Sequence, residues 1–139
     1  MTCRSASVVA WYNFFVKKFL TFPAIIRIGL ACVFLANSLT AFLTPSEFRD
    51  LVSNSFIAGV LPISVASFVT LVGFNDLTVA ILLFSGWRTS RVATYAAAWI
   101  TGVVFVIGVV SLDALEHLGF ISMAISLAIK CQRRDLSAS

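Results

Sequence analysis

Residues 63–84 read ISVASFVTLVGFNDLTVAILLF, an apolar run that follows Pro62 and holds a single charged side chain, Asp76. At about 1.5 Å of rise per residue, a helix of this length matches the roughly 30 Å hydrocarbon layer of a bilayer. The run therefore predicts a membrane span. Two similar runs flank it, about Ala24–Leu43 after Pro23 and about Val92–Val110 after the polar turn Gly86–Arg91. Proline suits a first helical turn because the N–H it lacks would be unpaired there. A fourth run, Leu118–Ile129, is short. It spans only if the helix starts near Leu112 and carries Asp113, Glu116 and His117 into the headgroup zone.

Composition agrees. The 139 residues are 60 % hydrophobic and 12 % charged, with a mean hydropathy of +1.01. A soluble domain of this size could not bury so much apolar surface. The expected fold is all-α, a four-helix integral membrane bundle over residues 23–130. A short cytoplasmic tail, 131–139, follows it. Residues 1–22 place Val8, Trp11, Tyr12, Phe15, Phe19 and Phe22 at near-helical spacing, with Asn13, Lys17 and Lys18 on another face. That pattern predicts an interfacial helix on the cytoplasmic side, retained rather than cleaved, since Asn13 and the lysine pair interrupt its apolar stretch.

Lysines and arginines at span ends resist translocation, so their distribution sets orientation. Arg4, Lys17, Lys18, Arg27, Arg88, Arg91, Lys130, Arg133 and Arg134 fall on one side, and Arg49 falls alone on the other. Both termini are thus expected in the cytoplasm, with the chain in the inner (plasma) membrane and an even number of spans. Glu47, Asp50, Asp113 and Glu116 then gather outside. Thr44-Pro45-Ser46-Glu47 reads as a capping box that starts a short outer interfacial helix, with Phe48, Leu51 and Val52 on one side. The net charge of +4 does not point to nucleic acid. The basic residues sit where they meet lipid headgroups rather than forming a groove, which makes the bilayer itself the partner.

Asp76 is the residue with chemical potential. At mid-membrane depth an unpaired carboxylate costs on the order of 3 kcal/mol or more, so it must be neutral, paired or hydrated. Arg27 lies a few residues into the first span from the same side, and the two are expected to form a buried polar pair. The pair either fixes helix register or handles a proton, quinone or substrate. Small or weakly polar residues recur at steps of three or four in each span. They are Arg27, Ala31, Ser38 and Ala41; Gly73, Asp76 and Ala80; Ala93, Ala97, Thr101 and Gly108; and Gly119, Ser122 and Ser126. Such stripes let helices approach closely in lipid. The alternative is a ligand cavity lined by Ser38, Thr101, Ser122 and Ser126 with Asn37 and Asn75, which otherwise serve as interhelical hydrogen-bond donors.

Cys3, Cys32 and Cys131 are far apart and form neither a redox motif nor a metal spacing. Cys32 is expected to pack as a small hydrophobe, and Cys131 stands where a lipid chain could be attached. His117, the only histidine, reads as interfacial alongside Glu116, and with no second ligand near it neither haem nor another metal is expected. Trp11, Trp87 and Trp99 read mainly as belt residues. No phosphate loop, nucleophile elbow or paired-carboxylate motif occurs, so stand-alone catalysis is not expected.

The motifs resemble those of the DoxX family of small membrane proteins. Arg27-Ile28-Gly29-Leu30, then Val33-Phe34-Leu35 and Phe42 before Pro45, is similar to the family's R-I-x-L-x-x-x-F pattern ending at a loop proline. Asp76, with Ala80, Gly86, Arg91 and Ala93 after it, resembles an acidic residue followed by two small positions and a basic turn. Leu118-Gly119-Phe120 opens the last helix in the same manner. The likeness covers about residues 26–129. It departs at Asp76, where the family usually has Glu, and at Glu116-His117, where it often has Arg-Asp. The resemblance implies an up-down bundle and an accessory or anchoring subunit of a membrane redox system, with a quinone as the candidate cofactor and dehydrogenase subunits or further copies as partners. Two other classes fit the sequence: a small proton-coupled exporter of lipophilic cations resembling the small multidrug resistance proteins, disfavoured because the acid stands in the second span and not the first and because a basic partner is expected for Asp76, and a purely structural assembly partner.

Overall fold

Prolines and small polar residues decide where each helix begins. The computed structural model describes residues 21–107 and 112–137. Helix α1, Phe22–Leu43, starts after Thr21 with Pro23 in its first turn. It stops at Thr44 because Pro45 disfavours helical backbone in the residue before it. Helix α2, Pro45–Ser53, restarts at that proline. The expected capping box does not form. Thr44 adopts φ −132 and ψ 59, and its hydroxyl donates back to the Thr40 carbonyl at 3.4 Å rather than capping α2.

A 3-10 turn, Phe56–Gly59, leads to α3, Val65–Ser85. Here the cap is real: Ser64 Oγ accepts from the Ser67 N–H at 3.1 Å. Helix α3 ends at Gly86, whose φ of +73 is the left-handed conformation that glycine adopts without a Cβ penalty. After a two-residue turn come α4, Thr89–Ile107, and α5, Leu112–Ser137. The last helix is described from Leu112, and it continues through most of the stretch expected to be a tail. The interfacial helix expected over the N-terminal segment lies outside the described residues up to residue 20, as do Cys3 and Gly108. The side chains of Asp113 and Arg134 fall outside them too.

All described elements are helical. Among the described residues, three helices are long and apolar enough to cross a membrane: Phe22–Leu43, Val65–Ser85 and, within α5, Ala114–Arg133. Helix α4 differs from them by the polar start Thr89-Ser90-Arg91. The long helices pack as two close antiparallel pairs, α1 with α3 and α4 with α5, which meet each other over smaller areas. Gly73 of α3 faces Ala41 and Phe42 of α1, while Gly86 faces Arg27. In the other pair the Ser90 hydroxyl donates to the Ala128 carbonyl at 3.2 Å.

The buried seams are built largely from small residues: Ala31, Ala41 and Ala80 in the first pair, and Ala93, Ala96, Ala124 and Ala128 in the second. Large apolar side chains such as Leu43, Leu71, Phe74, Ile81, Phe105 and Leu115 point outward. This inversion suits hydrocarbon as solvent, where close backbone packing replaces the hydrophobic effect. Cys32, expected to pack as a small hydrophobe, is exposed on the outer face of α1. Contact with lipid suits a small hydrophobe equally well.

Candidate functional site

The small residues that close the two helix pairs leave room between them. A cavity of about 390 Å³ is lined by residues from all five helices. Asp76 of α3 and Trp99 of α4 lie at its inner end, Asn37 and Thr40 of α1 at its side, and Glu47 of α2 with Glu116 and His117 of α5 toward the outer end. The α2 segment that was expected to lie flat on the surface instead covers this chamber with Phe48 and Leu51. Val52, beside them, packs on Ala41 and Val69.

Asp76 is 3 % exposed, so its carboxylate depends on hydrogen bonds for stability. It receives one from Asn75 Nδ2 at 3.2 Å and another from the Trp99 side chain. Hydrogen bonds to a charged group contribute on the order of 1.5–3 kcal/mol each, enough to offset much of the cost of a carboxylate in hydrocarbon. The supports are themselves fixed. The Tyr95 hydroxyl donates to Asn75 Oδ1 at 2.5 Å, which turns the amide nitrogen toward Asp76. Tyr95 also stacks on Trp99, with centroids 6.5 Å apart and planes 13° from parallel.

The pairing expected between Arg27 and Asp76 is corrected by this geometry. The Arg27 guanidinium lies against Gly86 at the far end of α3. Ten residues of helix separate Gly86 from Asp76, about 15 Å of rise. Arg27 Nε is buried without a hydrogen-bond partner, and the partners of Asp76 are Asn75 and Trp99. Two influences hold the arginine there: the C-terminal pole of α3 attracts a cation, and a glycine leaves space that any Cβ would fill.

The other sequence-derived candidates divide. Asn37 lines the chamber. Asn75 reaches it only through Asp76 and lines a separate groove of about 290 Å³ between α3 and α4, with Arg91 and Tyr95. Ser38 is 1 % exposed on the α1–α3 seam, and its hydroxyl has no partner. Thr101, Ser122 and Ser126 are exposed, so the cavity expected from them does not exist. Thr101 donates to the Ala97 carbonyl at 2.8 Å and Ser122 to the Leu118 carbonyl at 2.9 Å. In α4 the buried face runs through Ala93, Ala96, Ile100 and Val104; it shares Ala93 with the expected stripe and departs by one position at Ala97 and Thr101.

Glu116 and His117, expected to be merely interfacial, contribute to the chamber wall, where the His117 ring meets Phe120 edge-on at 6.0 Å. Trp99 is a chamber residue and not a belt residue, whereas Trp87 is 58 % exposed beside Arg88 at a helix turn. The sequence reading missed Trp99, Phe48 and Phe120. Helical spacing could have found Trp99, three residues after Ala96 on the same side of α4.

No protein-family model matches the chain, and no curated protein or solved structure is detectably similar to it. Chemically, the site is a largely apolar chamber set with a few polar side chains, three of them carboxylates. Among the described residues, no group of histidine, cysteine and acidic side chains is arranged to hold a metal.

Proposed function

We propose that this is a four-span integral protein of the inner (plasma) membrane that holds a small amphiphilic molecule within its bundle, acting as an accessory or anchoring subunit of a larger membrane system. One observation carries the reading: a chamber of about 390 Å³ bounded by every described helix, with a buried, hydrogen-bonded carboxylate at its inner end. Evolutionarily neutral packing has no need for such a space, because in lipid the close approach of small residues stabilises helices and a cavity forfeits that contact.

Three apolar helices support the membrane setting. Helix α4 lies antiparallel to α5 and its apolar sequence runs on to Val110, which supports a fourth span. The resulting even number agrees with the nine-to-one partition of lysine and arginine and with cytoplasmic termini. The likeness to DoxX proteins favours a redox system as the setting.

Purification in mild detergent tests the proposal. Organic extracts of the wild-type protein should contain one small amphiphile in near-stoichiometric amount, and Val103→Trp, which fills the chamber wall, should lose it while eluting normally on size exclusion. A co-purifying dehydrogenase subunit would support the accessory role. If both proteins carry only bulk phospholipid, the chamber is empty space and a structural assembly role takes its place.

A further inference from the structure

The chamber's lining is one-sided in charge. Among the described residues, Asp76, Glu47 and Glu116 contribute carboxylates and His117 an imidazole, and no lysine or arginine lines it. The basic partner that would have neutralised Asp76 is held at Gly86. Two hydrogen bonds leave the Asp76 carboxylate further acceptor capacity, since its two oxygens offer about four lone-pair sites. Asn37, Thr40 and His117 could donate to a neutral carbonyl ligand such as a quinone head, whereas the three carboxylates only accept and so favour a group that donates or carries positive charge.

Aromatic side chains share the wall: Phe34, Phe48, Trp99 and Phe120. Aromatic faces attract cations, the more strongly where water is excluded. Beside the chamber lies a second cavity of about 230 Å³ with an almost wholly apolar lining, which shares Phe48, Leu51, Val72, Trp99 and Val103 with it. The combined site has a charged, aromatic compartment and an apolar annex.

We propose that the chamber binds a lipophilic ammonium ion, its charged nitrogen beside Asp76 and the aromatic wall, its apolar part in the annex toward Phe68 and Val106. This deepens the preceding reading and rests on it, because it requires that the chamber hold a ligand at all. Of the two features that disfavour the exporter class, a basic partner for Asp76 and an acid in the second span instead of the first, the position of Arg27 removes the former.

The test compares benzyltrimethylammonium with neopentylbenzene, the same shape with carbon in place of the charged nitrogen. The full-length chain, carrying Trp11→Phe and Trp87→Phe so that Trp99 alone reports, is placed in nanodiscs of zwitterionic lipid, and Trp99 fluorescence is titrated. The cation is expected to bind saturably and at least 10-fold more tightly than its neutral counterpart. Asp76→Asn should weaken cation binding at least 10-fold and leave the neutral compound unchanged. Glu116→Gln, at an exposed outer position that the fold does not depend on, should weaken the cation about 3-fold and flatten its salt dependence; this variant decides the matter if Asp76→Asn does not fold. Equal binding of both compounds to the wild type would overturn the cation proposal and leave the ligand chamber standing. Binding of neither would overturn both.

Discussion

Arg27 and Asp76 occupy helices that run against each other, yet they sit at different levels. In an antiparallel pair, one chain climbs as the other descends. With Arg27 beside Gly86 and Ala41 beside Gly73, the level of Asp76 on α1 is that of Ser38. The charges should therefore act independently. In a double-mutant cycle of Arg27→Gln and Asp76→Asn, unfolding free energies in mixed micelles should add within about 0.5 kcal/mol. Coupling above about 1 kcal/mol would restore the ion pair. The depth of Asp76 was legible from sequence because a lone acid in a long apolar run has nowhere else to go. The partner was not. A long side chain such as arginine can turn either way, and the choice depended on a glycine conformation nearly sixty positions along the chain.

At the scale of helices, the α1 and α3 stripes could be read correctly because small residues mark one face of each. Ala31, Ser38 and Ala41 are buried, as are Gly73, Asp76 and Ala80. In α4 the run Ala96-Ala97-Ala98 gives small residues on successive faces and blurs the phase, so Thr101 was assigned inward when Ile100 is the buried residue. In α5 the serines misled for another reason: a hydroxyl bonded to its own helix's carbonyl can face lipid at little cost. Two glycines measure the difference. A Cβ on Gly73 would lie 3.0 Å from ring carbons of Phe42 and 3.1 Å from the Ala41 Cβ, whereas one on Gly119 would meet nothing within 4 Å. Gly73→Leu should lower stability by about 1–3 kcal/mol through overpacking, while Gly119→Leu should stay within about 0.5 kcal/mol of wild type. Reversible unfolding of both variants checks the contrast, and equal losses would place Gly119 in a seam.

Across the whole molecule, the described charges separate by end. Arg27, Arg88, Arg91, Lys130 and Arg133 lie at one end of the helices, and Glu47, Asp50 and Glu116 lie at the other with Arg49. In a variant without native cysteines, Asp50→Cys on intact cells should react with a membrane-impermeant maleimide, and Arg133→Cys should react only after lysis. Labelling of both on intact cells would mean an odd number of spans. Sequence statistics could anticipate this arrangement because translocation acts on charge and length alone. The chamber escaped them because it is formed by what five helices jointly leave unfilled.

The two-pair construction bears on how the chain is made. The first pair is complete once α3 has been synthesised, and the second needs nothing from it to form its own long seam. Each newly inserted half can thus find its permanent neighbour in order of emergence from the ribosome, and the acidic chamber comes into being only in the final step, when the halves close on one another.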